Sequence, residues 1–274
     1  MPVANPDLFS CYKNIIYMGP QKIDLKGKRV TLEVEKGKEK DQMGEGRHLF
    51  CPTEFLDEAW FHRSYFIYGK NAGEGHGEYG TARGFTHVGR IMVFDKENVY
   101  SFYAHNVGNN LLPRTSYMLY SAEKDDITIE EQAPKKKKEG AETKKKKKKK
   151  KGKGKKVKVR MPHIWEMEPM PLLANAMVSA GGNLFLAGPP DVADEEKTEG
   201  ILPGRNDDIN RQMAKQEEAW LGKYGAKLLV VSSKQGKKLA EYDLKSIPVW
   251  DGMAAAGGRL FMSHRDGKVT CWEE

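Results

Sequence analysis

Cysteine is scarce in this 274-residue chain: Cys11, Cys51 and Cys271 are the only three. The odd count, with no CxxC, no CxxCH and no adjacent pair, excludes a zinc finger, a covalently attached haem and a disulfide-rich scaffold. Three buried or half-buried thiols are expected, with one pairing open in an oxidising compartment. Long apolar runs are also missing. No stretch approaches the roughly 20 residues of a spanning helix, and the opening MPVANPDLFS lacks the apolar centre of a signal peptide. No GxxxxGK[ST], HExxH or nucleophile-elbow pattern occurs, so a phosphate cradle, a zincin site and a serine-hydrolase site have no sequence footing.

Charge is present in quantity but unevenly placed. The whole chain carries 46 Lys+Arg against 38 Asp+Glu, a formal net charge of +8. Residues 134–160 alone hold 17 of the basic residues and two acids, a net of +15, which leaves the remainder at −7. The body is acidic, and one lysine-rich insertion reverses the sign. The run Lys144 to Lys151 repels itself and has nothing to bury, so disorder is expected there. Lys144, Lys147, Lys150, Lys153 and Lys155 are candidate contacts for a polyanion or nucleic acid through counterion release. The alternative is a tolerated loop expansion, since long loops close at little entropic cost. No aromatic residue is interleaved for base stacking.

Outside that stretch, short β-type runs alternate with Gly and Asp turns. Four stretches resemble one another: Asn14 to Met18, Glu97 to Ser101, Gly182 to Leu186, and Gly258 to Met262. Their first aliphatic positions, Ile16, Val99, Leu184 and Leu260, lie 83, 85 and 76 residues apart. Such recurrence marks an array whose units bury their faces against neighbours. Hairpins are expected at Lys227–Tyr242 around Gly236, at Met262–Trp272 around Asp266-Gly267, and at Arg90–Phe102 around Asp95–Asn98. A single helix is expected near 206–222, between two β units, with Ile209, Met213 and Trp220 on its inner face and Gly222 or Gly225 as its stop. The chain is expected to be all-β.

Val231-Ser232-Ser233-Lys234-Gln235-Gly236 through Tyr242 resembles the Ala-x-Asp-x-x-Thr-Gly-x-x-x-Trp repeat of the PQQ-like (quinoprotein alcohol dehydrogenase-like) β-propellers, PQQ being pyrroloquinoline quinone. Ser232, Gln235 and Tyr242 stand where a small residue, Thr and Trp are usual. Asp251 to Ser263, followed by Asp266 to Cys271, resembles the closing repeat of such proteins. Phe55 to Tyr65 resembles a motif of large bacterial propellers of this kind. The resemblance implies a partial propeller of three to five four-stranded blades, the C-terminal portion of a longer protein with a periplasmic or extracellular location. It divides the chain into blades over 1–133, an insertion over 134–160 and further blades over 161–274.

Enzyme chemistry is not implied with the fold. The dehydrogenases of that superfamily use a vicinal Cys-Cys pair and a calcium site, and neither can be matched here. The expectation is a non-catalytic binding or interaction scaffold with no cofactor and no metal, its partner another protein or the N-terminal blades. Part of a quinone-dependent oxidoreductase is the enzymatic alternative. Asp57, Trp60, His62 and Arg63 form the densest chemical cluster, suited either to a ligand pocket or to blade packing. The histidines along Gly69 to Gly89 are expected on an exposed loop.

Overall fold

β-Branched and aromatic residues in runs of four to nine favour extended backbone, and Gly, Asn and Asp between them favour reversals. The chain follows that pattern. A computed structural model describes residues 10–12, 14–18, 21–30, 43–50, 66–71, 87–106, 115–124, 162–193 and 207–273. They form five antiparallel sheets and one helix. The first sheet contains β1 (Ser10–Tyr12), β2 (Ile15–Met18), β3 (Gln21–Asp24) and β4 (Arg29–Val30), and the second β5 (Met43–Phe50), β6 (Phe66–Asn71) and β7 (His87–Gly89). The third has β8 (Ile91–Phe94), β9 (Asn98–Asn106), β10 (Thr115–Glu123) and β11 (Trp165–Met167). The fourth has β12 (Ala176–Ala180), β13 (Asn183–Gly188), β14 (Ala226–Ser232) and β15 (Lys238–Leu244). The fifth has β16 (Pro248–Ala256), β17 (Arg259–His264) and β18 (Val269–Glu273). Every sheet is a meander in which sequence neighbours pair.

The four similar stretches fall on one structural position: each opens the second strand of its sheet, at β2, β9, β13 and β17. Ala180 pairs with Asn183 and Ala256 with Arg259, leaving Gly181-Gly182 and Gly257-Gly258 as two-residue turns. All four glycines have positive φ, from 56° to 77°. That is the primed turn whose twist matches the strands it joins. In the third sheet Lys96 and Glu97 stand in the glycine positions, and the turn depends on the residue before them, Asp95. Its Oδ1 accepts the N–H groups of Glu97 and Asn98 at 2.8 and 2.7 Å, closing the turn from the side chain.

Alternation along the strands gives the fourth sheet two apolar faces. Leu184, Leu186, Leu229 and Val231 pack toward Ile91, Phe102 and Leu119 of the third sheet. Ala187, Ala226 and Leu228 pack toward Ile247, Met253, Leu260 and Met262 of the fifth. Truncating a fully buried leucine such as Leu229 to alanine costs about 2–5 kcal/mol in such a core. First strands of successive sheets are also neighbours, with β12 lying between β8 and β16.

Helix α1 (Asp207–Trp220) corrects the expected layout in two ways. It lies within the fourth sheet, inserted between the paired strands β13 and β14, rather than between two units. Its buried positions are Ile209, Gln216 and Ala219, whereas Met213 is 41% exposed. Gln216 goes inside because three hydrogen bonds hold its amide. Oε1 accepts from Val192 and Ala193 N–H at 2.8 and 3.1 Å, and Nε2 donates to the Pro190 carbonyl at 3.2 Å. The helix stops as expected at Gly222, whose φ of +91° accompanies bonds from Gly222 N to Ala219 O and Lys223 N to Glu218 O. This is the Schellman arrangement.

The lysine-rich stretch lies outside the described residues, but its two stems do not. Ser121 pairs with Trp165, and Ile164 N donates to Ser121 O at 2.7 Å. The insertion therefore joins the third and fourth strands of one sheet at its rim. Two further expectations change. Cys11 and Cys271 are exposed rather than buried, each with a free thiol, and Cys51 lies outside the described residues. His87 is fully buried on β7 rather than on an exposed loop. No helix among the described residues is long and apolar enough to cross a membrane.

Candidate functional site

Five residues before the turn-flanking positions Asp95, Ala180 and Ala256 stand Arg90, Asn175 and Asp251. These three occupy the same place in three consecutive sheets, at or just before the first strand. The backbone confirms the equivalence of the first two. Arg90 N donates to Phe102 O at 2.8 Å, and Asn175 N donates to Ala187 O at 2.9 Å. Asp251 departs from that pattern. Its φ is 51°, a left-handed conformation that Asp and Asn adopt more readily than other side-chain-bearing residues. The register of β16 against β17 breaks between Pro248 and Met253. Asp251 N instead donates across the seam to Asn175 O at 2.8 Å, tying the fifth sheet to the fourth.

Side chains reinforce the junction. Asn175 is 2% exposed, and its Nδ2 donates to Pro248 O at 3.4 Å. Arg90 is 3% exposed and lies against two indoles, its guanidinium carbon 4.8 Å from the Trp250 ring centre and 5.2 Å from that of Trp220. A guanidinium keeps its charge when buried and stacks flat on aromatic faces. Trp220 ends α1, and its carbonyl accepts from Arg265 Nη1 at 3.1 Å, while Arg265 N donates to Ile247 O at 2.9 Å. The helix inserted in the fourth sheet is thereby clasped between the third and fifth.

Asp251 is the titratable group at this junction whose environment shifts it. Its surface is exposed, yet the protein flanking it desolvates the carboxyl and pushes its pKa above the ordinary 3.8. Of the three, the Asp251 carboxylate is the accessible one, whereas Arg90 and Asn175 are buried and fasten the sheets together. Among the described residues no group of three or more His, Cys, Asp and Glu side chains is placed to hold a metal ion.

A second junction joins the third and fourth sheets. Trp165 Nε1 donates to Ser233 O at 2.8 Å, and a Cβ on Gly236 would run into the Trp165 ring. Ser233 in turn donates from Oγ and N to Gly182 O at 2.7 and 3.0 Å. The indole that covers the turn glycine therefore comes from Trp165. Tyr242, which the sequence comparison sets in the tryptophan position, is 57% exposed.

Asp57, Trp60, His62 and Arg63 lie outside the described residues, as do Lys144, Lys147, Lys150, Lys153 and Lys155. Residues of the Arg90–Asn175–Asp251 set are not singled out by motif. The spacing of 85 and 76 residues, carried back to the first strands, is the signal that finds them. A scan against protein-family models finds no match to the chain, and a search of curated proteins finds none either.

Proposed function

We propose that the chain is part of a β-propeller of the PQQ-like repeat kind and serves as a non-catalytic scaffold for binding another macromolecule. Three features support the propeller reading: consecutive antiparallel meanders of three or four strands, a turn that recurs before the second strand in four of the five sheets, and the first strands β8, β12 and β16 lying side by side. The observation that carries the functional reading is the repeat-equivalent set Arg90, Asn175 and Asp251. Packing positions recur in kind around it, with Leu184 and Leu260 as examples, whereas this one position changes from cation to amide to carboxylate. A repeat array that holds its core and varies one junction position fastens each pair of sheets differently, and at this position the Asp251 carboxylate is the group left exposed to a partner. The partner is a protein or further blades of the same propeller, and the resemblance goes with an envelope or extracellular setting.

The test sets scaffold against enzyme. The purified chain is incubated with pyrroloquinoline quinone and calcium, then assayed by absorbance and by dye reduction with primary alcohols. No quinone-dependent turnover is expected, and turnover would replace the scaffold by an oxidoreductase.

A second reading, polyanion binding, is favoured by one observation. The lysine-rich stretch springs from a hydrogen-bonded strand pair at a sheet rim, where an arm can project without disturbing the core. Heparin retention that drops on deleting 134–160 and weakens steeply with salt supports it; equal retention ends it.

A further inference from the structure

Sheet edges invite pairing with other chains, and natural proteins blunt them. Three of the outer strands here are blunted. β4 has two residues, β11 has three and is followed at once by Glu168 and Pro169, and β15 has a register break and carries Lys238, Glu241 and Asp243. Among the described residues β18 pairs on one side only, without a register break or a proline, and its one charge, Glu273, stands at its end. It runs five residues in unbroken register with β17, and Val269 to Trp272 contains neither charge nor proline.

Its hairpin fixes which backbone groups face outward. His264 N donates to Lys268 O at 2.9 Å and Gly267 N to His264 O at 3.0 Å, with Gly267 at a φ of +81°. His264 and Lys268 are thus a hydrogen-bonded pair, and pairs alternate from there along the ladder. The N–H and C=O of Thr270 and Trp272 face β17, whereas those of Val269, Cys271 and Glu273 face the outer edge, where none of the described strands pairs. The same three residues have exposed side chains, Val269 by 66%.

We propose that β18 pairs antiparallel with β18 of a second copy of this chain, about a two-fold axis at Cys271. Among the three edge-facing residues this centre serves best. An axis at Glu273 would oppose two like charges, and one at Val269 would run the partner strand into the hairpin turn. At Cys271 the register sets Val269 against Glu273, Thr270 against Trp272 and Cys271 against itself. A β-branched residue then meets an aromatic one, and the strand's one charge does not meet its copy. The contact is isologous, so it closes as a dimer rather than growing as a fibre.

The test is light scattering on the full chain, under reducing conditions, over a concentration series. The wild type is expected to approach twice the chain mass. Cys271→Pro removes an N–H that points to the outer edge and leaves the β17 ladder intact, so it is expected to stay monomeric with an unchanged circular dichroism spectrum. Cys271→Lys, which sets like charges on the axis, is expected to do the same and serves if the proline variant does not fold. In a Cys11→Ser/Cys51→Ser background, a short bismaleimide is expected to link Cys271 to Cys271. A wild type monomeric throughout, or a folded Cys271→Lys variant that still dimerises, overturns the proposal.

Discussion

Trp165 covers Gly236 across the seam between the third and fourth sheets, its indole N–H bonded to Ser233 O at 2.8 Å. The glycine is required twice over: its φ is +65°, and the indole occupies the space a Cβ would take. Gly236→Ala is expected to cost more than the roughly 1 kcal/mol of a strained positive φ, because the ring must also move. Trp165→Phe keeps an aromatic ring but loses the hydrogen bond and part of the indole's packing, a loss of at least about 1 kcal/mol. Urea unfolding of the two variants checks both values. Because the two residues share one contact, the double variant falls short of the sum of the single losses.

At the other junction, Arg90 is held between Trp220 and Trp250. Arg90→Lys keeps the charge and loses the flat guanidinium face, so a loss of about 1–2 kcal/mol is expected. Indole fluorescence is the specific readout, since both neighbours are tryptophans. A shifted emission maximum in Arg90→Lys, with the far-ultraviolet spectrum unchanged, marks loss of the stack.

Acid titrates the turn that Asp95 closes. Burial opposes ionisation of this carboxyl, but the Tyr100 hydroxyl and the Asn98 and Glu97 N–H groups together outweigh it and hold the pKa below the ordinary 3.8. Tyr100 donates to Asp95 Oδ2 at 2.6 Å. A depressed carboxylate adds stability that is present above its unfolded pKa and lost as pH falls through the folded one. The melting temperature of the wild type should therefore fall more steeply than that of Asp95→Asn below about pH 4.

Asp251 has the opposite sign. Desolvation raises its pKa, so its charged form weakens the fold at neutral pH and the penalty disappears on protonation. Asn tolerates the 51° φ equally well. Asp251→Asn should melt above the wild type at pH 7 and match it at pH 3.

Local chemistry was the legible part of this sequence. The hairpins around Gly236 and Gly267, the paired glycines at 181–182 and 257–258, and the helix stop at Gly222 each follow from one residue's backbone freedom. Contacts between sheets were not legible. Trp165 follows directly on a lysine-rich stretch and lies 71 residues from the glycine it covers, so no local pattern connects them. Met213 fitted an apolar helix face by spacing, but Gln216 took the buried place through three hydrogen bonds that only the fold supplies. Arg90, Asn175 and Asp251 differ in chemistry, and their equivalence rests on counting back from turns.

The propeller reading is tested most directly by distances among repeat-equivalent positions. Spin labels at Ile15, Asn98, Asn183 and Arg259, in a cysteine-free background, mark the start of the second strand in four sheets. Rotation of the sheets about a common axis predicts an Ile15–Arg259 distance well below the sum of the intervening steps. A distance equal to that sum would make the array a straight stack and contradict the account.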